Sequence, residues 1–586
     1  MAESVLLQDV PRGAPSRNGR GATWIILAAI LATGFFLTLR DLGHPCLTYF
    51  DESFHAVVAR NLLKHPLTPT LLDHPYRPVD PRNWEETHIW LHKGIVPLWI
   101  IAGSYKLLGV DVFALRLPSL LLNTAAIWLT FEIGRRLMDR RAGLIAAALQ
   151  ALSPCFGFLV RGRSFSDHVD ITLLFWLEAA FLFLTIGLQS GRWRWFIFAG
   201  VAQGLAFLTK SFVGILPGAA LLLMLVLRMT GLRPLYAWKA LLIVMGVTVA
   251  TAAPWTIWCM VKFPAEFWHE LWHVGQHLQA DVEGWAAPWY RIYLKYAPVL
   301  FGGFYTPVIV ALLISIGRVI WRRVEGLALP VAWAVVVLSV FTLATAKPPM
   351  ATMIAMPAMY LLLAGMISRA LCGEAVELFA WIAIVAACLI DSGRSARGAE
   401  VPTDFLTAAR QEMWVFRQLG VGLAAALLGA WYSRTRSRMG LSATRAAEFA
   451  TVISAALLWP MLKEDWKAGE GDPNEPTYTE IGEYVQTKLP ANAVMLVDRA
   501  YDGEHRIMQF YTDRTCYPAS NDFLSVAEEI RRNGGEPMLF SYRIWNLPVI
   551  YTSPHDQRTI YQCPPPGVGP EPRPIAKPVT PPTREP

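Results

Sequence analysis

Long apolar runs recur through most of this chain, and they constrain its fold more than any other feature. Runs close to the ~20 residues that cross a bilayer as one helix recur from Trp24 to Leu462. Only 17% of the 586 residues are charged, whereas soluble domains carry about 25%. The 23 tryptophans also suit a chain with two membrane interfaces. The sequence therefore predicts a polytopic α-helical membrane protein.

Basic loops predict how these helices are oriented. Transmembrane helices are expected at 24–40, 114–133, 142–160, 169–188, 195–209, 211–228, 237–258, 299–320, 327–345, 351–369, 375–391, 413–432 and 446–462, thirteen in all. Arginine-rich turns such as 135–141 and 434–438 fall in alternate connections, which the positive-inside rule assigns to the cytoplasm. The N-terminus is then cytoplasmic, and the long polar loops lie on the periplasmic side of the inner (plasma) membrane.

The same pattern divides the chain into four segments. They are a cytoplasmic tail over 1–22, a transmembrane domain over 23–463 with catalytic periplasmic loops at 41–113, 161–168 and 259–298, a small periplasmic α/β domain over 464–563, and a Pro-rich disordered tail over 564–586. No small-residue cleavage site follows the first apolar run, so this run is expected to be a retained helix rather than a signal peptide.

The C-terminal domain is predicted to mix helices and strands. The period of its apolar residues predicts helices at 477–488 and 523–533, and strands at 493–497, 507–511, 537–541 and 549–551. Cys516 and Cys563 are the two cysteines of this domain. A disulfide between them fits a periplasmic location, but the sequence leaves their pairing open.

The first polar loop opens with two carboxylates directly after the first helix. Asp51 and Glu52 lie at the edge of the hydrocarbon, where an ionisable residue is costly and is a functional candidate by default. The same loop then supplies His55, His88, His92 and Lys93. The alternatives are that Asp51 caps a helix or is a loop charge, and that His88 and His92 anchor the loop in the membrane interface.

The later loops on that side add a third carboxylate and more cations. Asp167 follows Arg163, and Lys210 and Lys347 lie in further loops. A departing phosphate needs positive charge, and an acceptor hydroxyl needs a base within hydrogen-bond reach. This combination therefore fits a reaction on an anionic lipid. The alternatives are that Asp167 only pairs with Arg163 and that the lysines are snorkelling anchors.

Three histidines in the 259–298 loop have helical spacing. His269, His273 and His277 recur at i, i+4 and i+8, which allows a metal site with Glu270 or Asp281. A polar stripe on an interfacial helix is the alternative. The sequence demands no cofactor, and a divalent metal held by His273 and His277 is left open.

At these residues the chain resembles the GT-C class of membrane glycosyltransferases. The similar branch is the family 39 type, which holds the lipid A aminoarabinose transferases and the protein O-mannosyltransferases. The resemblance covers about residues 24–365. It rests on the acidic pair after the first helix and on the segments His92-Lys93 with Pro97, Arg116-Leu117-Pro118-Ser119, Arg163 with Ser166-Asp167, Leu205–Lys210 and Lys347-Pro348-Pro349.

The resemblance implies a GT-C fold and inverting transfer of a sugar from a polyprenyl-phosphate donor. The acceptor it implies is lipid A, a protein or a cell-envelope glycan. The implied catalytic residues are Asp51 and Asp167, and the implied donor-phosphate ligands are Lys93, Lys210 and Lys347. Glu52 is a further catalytic candidate, with a structural role in orienting the loop as its alternative, and Arg163 is a further phosphate-binding candidate. The candidate substrate-binding residues are His55, His88 and His92.

The departures from this family leave the sugar and the acceptor open. Phe54-His55 stand where the aminoarabinose transferases carry Arg-Tyr. A transporter or flippase of lipid-linked sugars is the main alternative, although it favours polar residues and helix breaks at the membrane midplane. A non-catalytic scaffold is another alternative.

Nucleic acid is not an expected partner, because the basic residues behind the net charge of +7 lie mostly in short loops between helices.

Overall fold

The computed structural model describes most of the chain. The described residues are 17–40, 42–44, 46–48, 51–163, 167–282, 284–322, 324–348, 350, 352–391, 404–434, 441–460, 462–463, 478–498, 503–519, 522–555 and 557–565. Most of the predicted N-terminal tail, residues 464–477 at the start of the predicted C-terminal domain and the Pro-rich tail beyond residue 565 lie outside these residues. The predicted domain boundaries therefore stay predictions.

Helices form most of the described chain. The α-helices are α1 (Arg17–Leu39), α2 (Asp51–Asn61), α3 (Ile95–Leu108), α4 (Val112–Leu137), α5 (Arg140–Ala151), α6 (Pro154–Val160), α7 (Asp167–Ser190), α8 (Trp193–Lys210), α9 (Leu216–Val226), α10 (Pro234–Lys262), α11 (Pro264–Gln279), α12 (Ala297–Phe301), α13 (Tyr305–Arg322), α14 (Glu325–Leu343), α15 (Met356–Leu371), α16 (Ala375–Ile390), α17 (Phe405–Gln411), α18 (Met413–Tyr432), α19 (Leu441–Ser454), α20 (Tyr478–Lys488), α21 (Glu504–Thr512) and α22 (Phe523–Arg532). The strands are β1 (Ala493–Val497), β2 (Cys516–Pro518), β3 (Glu536–Ser541), β4 (Val549–Thr552) and β5 (Thr559–Gln562).

The multi-pass membrane fold is confirmed, with fewer long helices than the thirteen predicted. Within the described ranges, nine helical segments are long and apolar enough to cross a bilayer, or ten if the bent pair α5–α6 is one span. The helices predicted at 195–209 and 211–228 fall in one apolar segment, Trp193–Val226. Two other predicted spans are short, since α16 has 16 residues and α19 has 14.

The segment Trp193–Val226 is not one straight helix. Ser211 follows α8 with a positive φ of 42°. The Gly218 N–H donates a 2.6 Å hydrogen bond to Gln203 Oε1, 15 residues earlier, whereas that length of straight helix would span about 22 Å. The chain therefore turns at Ser211, and this turn leaves Lys210 at the exposed end of α8.

Two apolar cores organise the molecule. The larger core fills the helical bundle and draws on α4, α7, α14 and α15 among others. The second core joins the first polar loop to the C-terminal region: it contains Phe54 and Trp90 from the loop, and Ile507 and Phe540 from the C-terminal region. Because these side chains share one core, the first polar loop and the C-terminal region lie on the same side of the membrane.

The C-terminal region is a small α/β unit, as the fold class predicts. Its sheet has the order β2-β1-β3-β5-β4. Strand β1 runs parallel to β2 and β3, and β5 runs antiparallel to β3 and β4. The strand predicted at 507–511 is wrong, because these residues lie inside α21. A five-residue apolar run has too few periods to separate a strand from a buried helix face.

The disulfide left open by the sequence is absent from this unit. Cys516 and Cys563 are both buried free cysteines. Cys516 lies on β2 and Cys563 directly follows β5, with β1 and β3 between those strands. Three inter-strand spacings amount to roughly 14 Å, and a disulfide needs Cα atoms within about 7 Å.

Candidate active site

The two carboxylates that open the first polar loop begin helix α2. Asp51 and Glu52 occupy its first turn, where the helix dipole favours negative charge. Their exposed fractions are 5% and 1%. Helix α2 is buried over almost its whole length. Each carboxylate therefore contacts side chains of the surrounding helices and loops rather than solvent.

Glu52 lies at the centre of a network that we call the anchor cluster, defined as Glu52, Arg116, Ser119 and His168. Arg116 Nε donates to Glu52 Oε1 at 2.6 Å, and Arg116 Nη2 donates to Glu52 Oε2 at 2.9 Å. His168 Nε2 lies 3.4 Å from Glu52 Oε1, and His168 Nδ1 lies 2.8 Å from Ser119 Oγ. The guanidinium also donates to three backbone carbonyls of residues 42–46. The cluster therefore ties the start of the loop to α4 and α7.

The anchor cluster keeps Glu52 ionised. Burial raises the pKa of this carboxyl, but the charge of Arg116 and the hydrogen bonds from Arg116 and His168 outweigh burial and lower the pKa from 4.5 to about 2. Gly162 packs directly against the carboxylate, since a Cβ there would lie 2.1 Å from Glu52 Oε1. Glu52 is thus held in place and stays charged at neutral pH.

A second group, the charge cluster, consists of Asp51, Lys93, Asp170 and Lys210. Lys93 Nζ lies 3.5 Å from Asp51 Oδ1, and Lys210 Nζ lies 2.5 Å from Asp170 Oδ1. Asp170 also interacts electrostatically with Lys93 and Asp51. The side chains of Lys93 and Lys210 are 18% and 35% exposed, whereas those of Asp51 and Asp170 are 5% and 4% exposed. The cations therefore line the accessible edge, and the carboxylates lie behind them.

A close contact between α3 and α8 brings the two lysines of the charge cluster together. A Cβ on Gly94 would lie 2.2 Å from Leu208 O and 2.3 Å from Thr209 O. Only glycine therefore fits at this approach. Lys93 directly precedes Gly94, and Lys210 directly follows Thr209, so this contact sets how near the two cations can lie.

Asp167 joins α7 to α2. Its Oδ1 lies 2.9 Å from His55 Nδ1, and it also accepts the backbone N–H of His168. Its Oδ2 accepts no hydrogen bond from the described residues. Both Asp167 and His55 have fully buried side chains. The predicted pair of loops, 41–113 and 161–168, thus meets at the first turns of two helices.

His92 connects the first loop to α11. Its Nδ1 lies 3.2 Å from Glu270 Oε2, and its ring stacks on Trp84 with 4.4 Å between centroids. Burial and the neighbouring charge of Lys93 lower the pKa of His92, although Glu270 opposes the shift. His92 is therefore neutral near pH 7 and holds α11 beside Lys93 by a hydrogen bond.

Three other predicted site residues make local contacts. His88 Nδ1 lies 2.6 Å from Leu72 O, within the first loop. Lys347 Nζ donates to backbone carbonyls of residues 342 and 344, and burial lowers the pKa of Lys347. The backbone N–H of Arg163 donates to a carbonyl of α6 at 2.8 Å. Their roles in binding substrate stay predictions.

The histidines of α11 come near one another without a complete set of ligands. The rings of His273 and His277 have centroids 5.2 Å apart, and His273 lies 5.6 Å from His92. Across the described ranges there is no group of three or more His, Cys, Asp or Glu side chains arranged to hold a metal ion. The metal hypothesis at His273 and His277 therefore gains no third ligand in this part of the chain.

Sequence reasoning does not single out Asp170 or identify Arg116 as the partner of Glu52. Asp170 follows Asp167 by three residues on α7, a spacing that places both carboxylates on one helix face. Arg116 is a buried charge in the apolar helix α4, where an ionisable residue calls for a partner. The i, i+3 spacing and the buried charge are local features from which Asp170 and Arg116 could be predicted.

Two solved structures share this fold. ArnT from Cupriavidus metallidurans, bound to undecaprenyl phosphate, aligns with a TM-score of 0.60 and 18% identity over 94% of this chain and 99% of that chain. The apo oligosaccharyltransferase of Archaeoglobus fulgidus aligns with a TM-score of 0.51 and 13% identity over 94% of this chain and 75% of that chain. The chain has the fold of the GT-C membrane glycosyltransferases. The predicted fold class is thereby confirmed.

Sequence comparisons agree with the GT-C fold. Residues 92–258 match the family described as dolichyl-phosphate-mannose-protein mannosyltransferase. An undecaprenyl phosphate-alpha-4-amino-4-deoxy-L-arabinose arabinosyl transferase of Pseudomonas fluorescens (strain Pf0-1) is 25% identical over 343 residues, which cover 56% of this chain and 54% of the relative. The chain thus spans about half the length of the curated relatives it matches. The family match contains three charge-cluster residues, Lys93, Asp170 and Lys210.

Proposed function

We propose that this protein is an integral membrane glycosyltransferase that transfers a sugar, with inversion, from a polyprenyl-phosphate donor to a periplasmic acceptor. The observation that carries the proposal is the charge cluster, in which two accessible lysines stand in front of two buried carboxylates. Such a site can bind a phosphate and accept a proton side by side. The GT-C fold supports the same class of reaction. The acceptor class includes lipid A, protein and cell-envelope glycan.

Lys93 and Lys210 are the proposed ligands of the donor phosphate. A lysine ammonium is a compact charge on a flexible stem, so it can exchange one anionic partner for another. The Lys93–Asp51 pair, at 3.5 Å, is the looser of the two ion pairs. A phosphate that enters at the accessible edge takes Lys93 as its partner and leaves Asp51 ready to act as a base.

Asp51 is the proposed base. The acceptor hydroxyl gives its proton to Asp51 while its oxygen bonds to the anomeric carbon. The bond from that carbon to the phosphate oxygen breaks, and its electron pair leaves with the polyprenyl phosphate. Lys93 and Lys210 stabilise the charge that develops on this leaving group. Attack from the side opposite the phosphate gives the inverted product.

Asp167 and Glu52 have supporting roles in this proposal. Asp167 bonds to His55, and Glu52 to Arg116, so each fixes one side of the first turn of α2. Asp167 remains the proposed second carboxylate, since its Oδ2 accepts no hydrogen bond from the described residues. Glu52 is proposed to position α2 rather than to exchange protons.

We propose the membrane orientation on the basis of the positive-inside rule. The N-terminus is cytoplasmic, and the charge cluster and C-terminal region are periplasmic at the inner membrane. The core shared by the first loop and the C-terminal region supports placing both on one side. A reporter enzyme fused after Gly471 is expected to be active only outside the cytoplasm. Activity inside the cytoplasm would reverse the orientation.

A transporter or flippase of lipid-linked sugars is not favoured. Transporters bind substrate near the membrane midplane at broken helices. The charge cluster instead lies at helix ends: Asp51 and Asp170 are in the first turns of α2 and α7, and Lys210 is the last residue of α8.

Replacement of the base tests the proposal. Asp51→Asn in the full-length protein is expected to lower transfer of radiolabelled sugar from a polyprenyl-phosphate donor by about 10²–10⁴-fold. Binding of the lipid phosphate should persist, because the lysines remain. Asp80→Asn is the matched control, since Asp80 is an exposed carboxylate of the same loop. Transfer by Asp51→Asn at the unaltered rate would remove Asp51 from the mechanism.

A further inference from the structure

Helix α21 of the C-terminal region packs on the acidic helix α2. Arg60 Nη1, in the last turn of α2, donates to Phe510 O at 2.9 Å. Gln509 Nε2 donates to Leu71 O, in the loop after α2, at 2.6 Å. The buried residues of α21 run from Glu504 to Phe510 without a break. The C-terminal region therefore forms part of the enclosure of α2.

Arg506 links α21 to the other end of α2. Its side chain is among the largest that are fully buried. Nη1 donates to Cys516 O at 3.1 Å, and Nη2 donates to Glu85 O of the first loop. The guanidinium carbon lies 5.7 Å from the centroid of the Phe54 ring, which is within cation–π range. One side chain thus connects the sheet, the first loop and α2.

Phe54 connects Arg506 to the charge cluster, because it lies on α2 together with Asp51. Its ring lies 5.1 Å from Trp84 and is stacked at 6.1 Å on Trp90, so it has a fixed place. Phe54 follows Asp51 by three residues, which puts the two on one face of α2. The next residue, His55, is bonded to Asp167. A shift of Phe54 therefore displaces the first turn of α2.

We infer that Arg506 is a positioning residue for the glycosyl transfer, which acts through Phe54 to hold Asp51 at the charge cluster. The inference rests on the proposed function, in which Asp51 is the base. Arg506 has no exposed surface and so does not touch substrate. Lys93 and Lys210 lie outside α2, so loss of Arg506 is expected to displace the base rather than these donor ligands. A displacement of the base by about 1 Å can lower a rate by about 10²-fold.

The test uses the full-length protein in lipid nanodiscs, with Arg506→Met compared against Arg531→Met. Arg531, in the last turn of α22, also donates to a backbone carbonyl of the C-terminal region, Cys563 O at 2.6 Å, but it lies outside α21. Arg506→Met is expected to lower kcat by about 10–100-fold and to leave the Kd for undecaprenyl phosphate unchanged. Amide hydrogen exchange of residues 51–61 should become faster in Arg506→Met and stay as in the unaltered protein in Arg531→Met. Arg506→Lys, which keeps a cation over Phe54, should recover part of the rate.

A double variant tests the route through Phe54. Phe54→Leu should also lower kcat, and Phe54→Leu with Arg506→Met should be no slower than the more impaired single variant, because both changes interrupt one contact. Equal loss of kcat in Arg531→Met, or exchange of 51–61 unchanged in Arg506→Met, would overturn the positioning role. Faster exchange with kcat intact would overturn it as well. Lack of transfer by the unaltered protein would instead defeat the proposed function, and the exchange comparison would still decide whether Arg506 holds α2.

Discussion

The anchor cluster and the charge cluster begin at adjacent residues of α2, yet they hold their carboxylates in different ways. Glu52 accepts two hydrogen bonds from one guanidinium, at 2.6 and 2.9 Å, and this planar fork fixes both oxygens. Asp51 faces a lysine ammonium at 3.5 Å, which is a point charge on a flexible stem. The first arrangement suits a permanent joint between elements. The second suits a carboxylate whose partner changes during a reaction.

A pair inside the helical bundle supports this distinction. Arg318 of α13 makes the same bidentate pair with Glu377 of α16: its Nε and Nη2 donate to the two carboxylate oxygens at 2.9 and 2.6 Å. This pair is far along the chain from the candidate active site. Glu52 therefore has the contacts of a structural acid even though it lies beside the proposed base. The geometry of the partner, rather than nearness to a site, separates the two kinds of carboxylate.

The largest effect is expected when Glu52, the carboxylate of the anchor cluster, loses its charge. Glu52→Gln leaves Arg116 buried without a counter-charge, and we expect a loss of about 3–5 kcal/mol of folding free energy. Thermal or denaturant unfolding of the purified protein measures it. Glu483→Gln, an exposed glutamate of α20, is the control. A Glu52→Gln protein as stable as the control would show that Glu52 does not anchor α2.

Removing a cation of the charge cluster should act mainly on activity, because Lys93 is partly exposed and lies 3.5 Å from Asp51. Lys93→Met is expected to lower kcat/KM for the lipid-phosphate donor by about 10²–10³-fold, because the leaving phosphate loses a positive partner. Steady-state transfer at several donor concentrations measures this. Lys106→Met, an exposed lysine of α3, should behave as the unaltered protein. Equal kinetics for the two variants would exclude Lys93 from donor binding.

The approach of α3 to α8 offers a smaller perturbation of the charge cluster. Gly94→Ala places a Cβ against the carbonyls of Leu208 and Thr209, and the resulting strain should cost about 1–3 kcal/mol of stability and weaken donor binding. The control Gly103→Ala lies inside α3, the helix that Gly94 directly precedes, and its Cβ would have no heavy atom within 4 Å. It should instead stabilise the protein by about 0.5–1 kcal/mol. A paired measurement of unfolding and donor affinity checks both, and equal behaviour of the two variants would contradict the close packing at Gly94.

The smallest expected effect is the pH dependence of the folding stability that the anchor cluster provides. The pKa of Glu52 is about 2 in the folded protein and 4.5 without its partners. The unfolded chain therefore binds the proton first as the pH falls, so the stabilisation is complete above pH 4.5 and is lost towards pH 2. At pH 4 the loss should be about 1 kcal/mol. The stability difference between the unaltered protein and Glu52→Gln should narrow between pH 6 and 4, and a constant difference would contradict the low pKa.

Much of the fold could be predicted because its signals are local. Apolar runs and alternating basic turns predict the multi-pass bundle, and the strands at 493–497 and 537–541 follow from apolar segments. The prediction of a strand at 507–511 is wrong, because a short apolar stretch has the same pattern in a strand and in a buried helix. The thirteen predicted spans also exceed the long helices described, because hydropathy alone does not show where a helix stops short, as in α16 and α19.

The candidate site was harder to predict because its contacts join distant parts of the chain. Asp51 and Lys93 were singled out by their place in a polar loop, and the structure brings them together. The partners of Glu52 and His55 are 64 and 112 residues away, and no local pattern specifies such pairs. The same limit applies to Arg506, whose connection to Phe54 exists only after the C-terminal region has docked.

The shared core of the first loop and the C-terminal region has a consequence for biosynthesis. Tyr478, where the described part of that region begins, is made long after α2 and α3. At ~5–20 residues per second, the intervening chain takes on the order of tens of seconds to synthesise. During that interval the apolar side chains around Phe54 lack the partners that later cover them. The apolar surroundings of α2 are thus completed only when the C-terminal region has been made. A truncated or stalled chain would expose these apolar side chains to chaperones and would lack an assembled site.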